Sequence, residues 1–172
     1  DDKFNKLKFS IYCAAALIEL FKRQRDAVGL TLFAEELDLH TRAKSSAAHH
    51  RYLYSELEQL LETVSSSSGK HTAAASALHQ VADSVSRRSL VIVFSDMMDN
   101  STHADEMLNA LQHLRHNKHE VVVFHVVDKN KEVDFDFANR PYTFVDMESG
   151  EEVKVNPSDI RENYQTQMKE FR

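Results

Sequence analysis

Two polar segments of this chain carry the residues best suited to bind a charged ligand. The first is Ser95-Asp96, directly after the apolar run 90–94, and the second is the loop 68–72, which ends in Thr72. Hydroxyl and carboxylate oxygens are ligands that a hard cation such as Mg²⁺ prefers. We therefore expect a cation or a charged partner to bind where the two loops meet. The other residues expected on that surface are Ser68, Gly69, His71, Asp99 and Asn100.

The elements that must position these loops are predicted to be parallel strands. Residues 90–94 and 121–127 are continuous apolar runs, a pattern typical of strands buried on both faces of a parallel sheet. Ligands of such sheets bind beyond the carboxyl ends of the strands. Asp96 stands at that point. The alternative role for its carboxylate is to cap the next helix or to accept hydrogen bonds from loop amides.

The remaining pattern predicts alternating helices and strands. Helical spacing of apolar residues covers 3–25, 46–64, 72–85 and 102–114, and further strands are expected at 28–33 and 37–40. Segments 142–146 and 152–155 flank Ser149-Gly150 as a hairpin, and Asn156-Pro157 begins a closing helix. This order predicts one α/β domain over residues 1–172. Its architecture would be a three-layer, Rossmann-like fold with a mostly parallel sheet flanked by helices.

Composition narrows the classes of partner. The net charge of -6 argues against a nucleic-acid-binding surface, which usually carries a basic excess. The single cysteine excludes an internal disulfide and fits a reducing compartment, so we expect a cytoplasmic domain. No apolar stretch reaches the length of a membrane span, and no membrane segment is predicted in this chain.

Enzymatic chemistry is the alternative to binding. With three glycines in all, the chain has neither of the common glycine-rich phosphate-binding patterns, and Ser95 lacks the flanking glycines of a hydrolase nucleophile. A metal-assisted hydrolase or phosphotransfer protein would use Asp96 and Asp99, with His71 as base. The histidine pairs are interpreted mostly as surface residues, with a transition-metal site as the alternative, and His125 is interpreted as a core residue rather than a catalytic one. These pairs are His49-His50, His113-His116 and His116-His119.

Several segments together match a known family. They are Lys-Leu-Lys-Phe at 6–9, Arg-Asp-Ala-Val-Gly-Leu-Thr-Leu-Phe at 25–33, the Thr72 loop, Val-Phe-Ser-Asp at 93–96, and residues 119–128 and 144–153. They resemble the von Willebrand factor A-like domain of the bacterial domain-of-unknown-function-58 proteins over nearly the whole chain. The resemblance implies a von Willebrand factor A-type fold and a non-enzymatic protein-interaction domain.

The resemblance also implies a metal-ion-dependent adhesion site. Such sites hold Mg²⁺ or Mn²⁺, and a carboxylate of the partner completes the coordination. Thr72 and Asp96 match two of the three parts of the family pattern. The third part, Asp-x-Ser-x-Ser after the first strand, is absent, and His71-Thr72-Ala73 replaces the family's Gly-Thr-Asp. The site is therefore expected to be partial.

The absent motif belongs to a strand that lies centrally in this fold. We therefore expect residues 1–172 to be a fragment of a longer protein, which could be membrane-anchored upstream, or another chain to fill the gap. Proteins that resemble this family are often encoded beside MoxR-type AAA+ ATPases. The resemblance thus implies an adaptor with such an ATPase as its partner.

Overall fold

A computed structural model describes residues 5–33, 37–63, 74–85, 88–97, 104–145 and 150–171. The contacts divide the chain into a first unit, residues 1–125, and a second unit, residues 126–172. Helices and short sheets occur in both units, and the first unit contains a parallel pair of strands. The predicted mixed α/β class is therefore confirmed.

Every predicted element of the first unit is present. Its helices are α1 (Lys6–Gln24), α2 (Ala47–Thr63), α3 (Ala74–Ser84) and α4 (Ala104–His116), and its strands are β1 (Thr31–Phe33), β2 (Leu37–His40), β3 (Leu90–Ser95) and β4 (Glu120–His125). The ends of α1 show why the helix stops where it does. The Asn5 side chain accepts a hydrogen bond from the Lys8 amide, and Arg25 closes the helix at a φ of 64°.

Strand β1 is shorter than predicted. Val28 forms only an isolated antiparallel bridge, with Lys44, and the continuous pairing with β2 begins at Thr31. Upstream of that, the Leu30 amide donates to the hydroxyl of Thr41, and the Thr41 amide donates back to the Leu30 carbonyl. A Cβ on Gly29 would stand 2.6 Å from the Thr41 carbonyl oxygen. Glycine therefore allows the close approach that replaces a regular ladder here.

Strands β3 and β4 form the parallel pair that the sequence predicts, in register from Leu90 opposite Glu120 to Ser95 opposite His125. One face of the pair packs on a core made mainly by α3 and α4; we call it the packed face. Its side chains are Val91, Val93, Val121 and Val123. Leu114 and Ala110 of α4 are fully buried in that core, so α4 covers the strands that it connects.

The prediction that these strands are buried on both faces is wrong. The opposite face, here the open face, carries Ile92, Phe94, Val122 and Phe124. Val122 is 41% exposed and Phe124 is 44% exposed. The buried core that α3 and α4 build lies on the packed face alone. The described strands also form three separate two-stranded sheets rather than one continuous sheet.

A second core of the first unit joins α1 to α2. Ile11 and Ile18 of α1 pack with Leu53 and Leu57 of α2, all nearly excluded from solvent. These residues recur at helical spacing, as the sequence pattern indicated. In contrast, α1 also exposes several large apolar side chains. They are Leu7, Phe9, Tyr12 and Leu20.

The second unit contains the predicted hairpin and closing helix. Strands β5 (Tyr142–Val145) and β6 (Glu152–Val155) pair antiparallel, and α5 (Pro157–Phe171) follows. The Asp159 amide donates to the Asn156 carbonyl as the helix begins, with proline at its first position. A π-helical turn over Lys129–Val133, which the sequence did not indicate, precedes a buried Phe135.

Candidate functional site

Asp96 follows the last residue of β3, at the carboxyl end of the parallel pair. This is the position at which the sequence placed a ligand-binding carboxylate. The Ser95 hydroxyl accepts a hydrogen bond from the Met97 amide at 3.0 Å. Met97 adopts a φ of 53°, so the chain turns sharply as it leaves the strand. The local turn holds Asp96 at the strand end and half-exposed to solvent.

The negative charge of the Asp96 carboxylate is paired with a lysine side chain. Lys6, at the start of α1, places its Nζ 2.8 Å from Oδ2 of Asp96. The Lys6 and Asp96 side chains are 34% and 40% exposed, so water screens the pair and it contributes little to stability. A cation at the first turn of a helix is unfavourable with respect to the helix dipole. The contact with Asp96 offsets that cost.

Sequence reasoning assigned no role to Lys6. The signal available was a lysine in the first turn of a helix, at a position where an acidic residue is favoured. Its partner lies 90 residues away along the chain. That separation hides the pair from any local pattern.

The other predicted site residues lie outside the described part of the chain. This holds for Thr72, the second predicted metal ligand, and for the predicted partner-binding residues Ser68, Gly69, His71, Asp99 and Asn100. Among the described residues, no three histidine, cysteine or acidic side chains are grouped to hold a metal ion. A single carboxylate paired with an ammonium does not by itself make a Mg²⁺ site. The Thr72–Asp96 site therefore stays a prediction.

The open face of the sheet ends beside Asp96. Phe94, two residues before Asp96, stacks on Phe124 with ring centroids 5.0 Å apart and ring planes 10° apart. Val122 continues the same face along β4. Exposed apolar side chains grouped in this way are typical of a surface that binds another protein. Sequence reasoning missed this surface because it predicted burial for the same residues.

A second group of charges joins α1 to α2. Hydrogen bonds from Lys22, from Arg23 and from the hydroxyl of Tyr54 lower the pKa of Glu19 to about 2. The hydrogen bond with Glu19 likewise raises the pKa of Lys22. Tyr54 lies on α2, so this carboxylate links the two helices. Glu19, Lys22, Arg23 and Tyr54 therefore form structural hydrogen bonds that connect α1 and α2.

The surface interpretation of the histidine pairs holds for His116, which is exposed, and is wrong for His50 and His119. His50 and His119 are buried, and the Nδ1 of His119 accepts a hydrogen bond from the Ser89 amide. His113 faces His79 of α3 rather than its sequence neighbour His116. Helix packing, which local spacing does not show, decides which imidazoles meet.

The second unit contains a cavity of about 430 Å³, lined by residues that the sequence analysis did not single out. They are Val133, Asp134, Gln165, Met168 and Lys169. Two of the lining residues are hydrogen-bonded to each other, since the Gln165 side chain donates to the Asp134 carbonyl oxygen at 2.7 Å. This pocket contains none of the predicted site residues.

Among the described residues, no helix combines the length and hydropathy needed to span a membrane. A family model described as "Protein of unknown function DUF58" matches residues 2–172. No curated protein and no solved structure gave a match.

Proposed function

The chain belongs to the DUF58 family, and on that premise we propose that it is a protein-interaction domain. Its binding surface is the carboxyl edge of β3 together with the open face. Its role is that of an adaptor rather than an enzyme, and its partner is a MoxR-type AAA+ ATPase. The partner and the adaptor role come from the family resemblance of the sequence segments.

The observation that carries this proposal is the stacked pair of half-buried Phe94 and exposed Phe124 next to a charged strand end. Phe124 keeps 44% of its surface in contact with water. Burying exposed apolar area contributes about 25 cal/mol per Å², so covering this face would stabilise a complex. Asp96 lies two residues beyond Phe94 in the sequence. Together with its partner Lys6 it supplies the polar rim that protein interfaces usually have. Apolar surface with a charged rim suits a protein partner.

A von Willebrand factor A-type fold is part of the proposal. The parallel β3–β4 pair, connected through α4, supports it, as does the hairpin of β1 and β2 after a long first helix. Parallel sheets normally contain more than two strands and have both faces covered. A further strand beside β3 would extend the parallel pair into such a sheet.

The experiment measures binding of the whole chain to the purified MoxR-type ATPase by calorimetry, with and without Mg²⁺ or Mn²⁺. Asp96→Asn should weaken the complex by about tenfold, equivalent to about 1.4 kcal/mol. Glu58→Gln is the matched control, because it removes one exposed carboxylate from α2, outside the strand pair. The control should bind like the unmodified chain.

Equal binding by both variants would contradict the assignment of this edge. A dependence on Mg²⁺ that Asp96→Asn abolishes would support a metal ligand role for Asp96. Phosphatase or phosphotransfer activity that is lost in Asp96→Asn would favour the enzymatic alternative instead.

A further inference from the structure

We propose that His79 and His113 form a binding site for one divalent transition-metal ion such as Ni²⁺ or Zn²⁺. His79 lies on α3 and His113 on α4, and their Nδ1 atoms are 3.0 Å apart. The ring centroids are 5.2 Å apart. Both side chains are half-buried, so they reach solvent and are held in place by the helices.

The distance between the two nitrogens suits a shared metal ion. Imidazole nitrogen is a preferred ligand of zinc, copper and nickel, and it binds them at about 2.0–2.1 Å. Two such nitrogens around one ion are about 2.9 Å apart at a right angle and about 3.3 Å apart at a tetrahedral angle. The observed 3.0 Å lies within this range. A modest rotation of the rings therefore lets both nitrogens coordinate one ion.

The Asp83 carboxylate favours the tautomer of His113 that the site requires. It lies one helical turn after His79, and its Oδ1 is 3.5 Å from Nε2 of His113. A carboxylate at the far nitrogen favours hydrogen on that nitrogen and leaves a lone pair on Nδ1. Without metal, His79 then donates its Nδ1 hydrogen to His113. When an ion binds, that hydrogen moves to Nε2 of His79, which leaves a lone pair on each Nδ1 for the ion.

The helices that carry the ligands are fixed by the packed core. Leu78 and Leu114, the neighbours of the two histidines in sequence, are buried at 3% and 0% exposure. Asp83 contacts Nε2 of His113, whereas the ion would bind at Nδ1. Asp83 is therefore not a ligand, and the protein supplies two ligands, His79 and His113. This agrees with the lack of any three-residue metal group in the described part of the chain. Water would complete the coordination.

The test uses the whole chain without an affinity tag, titrated with NiCl₂ by calorimetry. Nickel is the main probe because zinc also binds thiolates, and Cys13 is a free thiol. One saturable Ni²⁺ site is expected, with no response to MgCl₂, since Mg²⁺ prefers oxygen ligands. His79→Gln and His113→Gln should each weaken Ni²⁺ binding by about tenfold or more, and Asp83→Asn by about tenfold.

His116→Gln is the matched control, since His116 is exposed on α4 and three residues from His113. It should bind Ni²⁺ within about twofold of the unmodified chain. No saturable site, or a site that survives in the His79→Gln/His113→Gln double variant, would overturn the proposal. Failure of the ATPase interaction would leave this result unaffected, because neither helix residue belongs to the Asp96 edge.

A measurement on the unmodified chain covers the case in which a variant fails to fold. Paramagnetic Ni²⁺ should broaden the imidazole NMR signals of His79 and His113 before those of the other histidines. Broadening that begins at His49 or His116 would place the ion elsewhere and overturn the assignment.

Discussion

The packed and open faces of the β3–β4 pair are similar in sequence and differ in environment. The packed face presents four valines to the core of α3 and α4. The open face presents an isoleucine, a valine and two phenylalanines, and its β4 residues are more than 40% exposed. A run of apolar residues in a strand therefore shows that both of its faces are apolar enough to be buried. Which face the chain itself covers depends on where its helices pack.

The largest effect should come from the core that covers the packed face. Leu114→Ala removes a fully buried side chain and should destabilise the chain by about 2–5 kcal/mol, through lost burial and the cavity left behind. Urea unfolding followed by circular dichroism measures this. Leu108→Ala on the same helix is the control, because Leu108 is 54% exposed. Similar losses in both variants would contradict the finding that α4 buries Leu114 and exposes Leu108.

A matched pair of substitutions compares the two faces directly. Val93→Thr places a hydroxyl in the packed core and should cost about 1–3 kcal/mol, since the group loses its hydrogen bonds to water. Val122→Thr makes the same change on the open face and should stay within about 0.5 kcal/mol. Thermal and urea unfolding of both variants provide the comparison. A cost at residue 122 equal to that at 93 would show that the open face is covered in solution.

Binding of the partner should depend more on the open face than on the packed face, the reverse of the order expected for folding stability. Phe124→Ser on the open face should cost less folding stability than Leu114→Ala, because Phe124 is 44% exposed, and should weaken the ATPase complex by about tenfold, because it removes an apolar anchor. Leu108→Ser is the control, an exposed apolar residue outside the sheet. If both variants bind like the unmodified chain, the open face is not the interface.

The smallest effect should come from Glu19, which belongs to neither face. Its folded-state pKa of about 2 is below the ordinary value of 4.5, so its stabilising contribution is present above pH 4.5 and is lost as pH falls towards 2. The unmodified chain should therefore be slightly more stable than Glu19→Gln at pH 7. The difference in free energy of unfolding between the unmodified chain and Glu19→Gln should disappear as the pH falls from 4.5 towards 2.

Urea unfolding at several pH values tests this expectation. Glu58→Gln is the control, an exposed glutamate of α2 whose substitution should not change the acid dependence. The difference between Val93→Thr and Val122→Thr should be the same in the Glu19→Gln background. A changed difference would show that the α1–α2 contact influences the sheet.

Local sequence predicted the elements closely and the site only in part. The spans of α1, α2, β3 and the hairpin were predictable, because helix caps, turns and apolar periodicity depend on residues near one another. The placement of Asp96 at a strand end followed from the same local pattern. The exposure of Phe124 was not predictable, since it depends on where α3 and α4 pack.

The amino-acid sequence by itself determined the order and type of the elements and the carboxylate at the end of β3. Only the tertiary structure decided that Lys6 meets Asp96 and that His79 meets His113, across 90 and 34 residues respectively. The physical reason is the range of the interactions. Backbone hydrogen bonds and caps act between near neighbours, whereas side-chain pairs form wherever packing brings distant elements together.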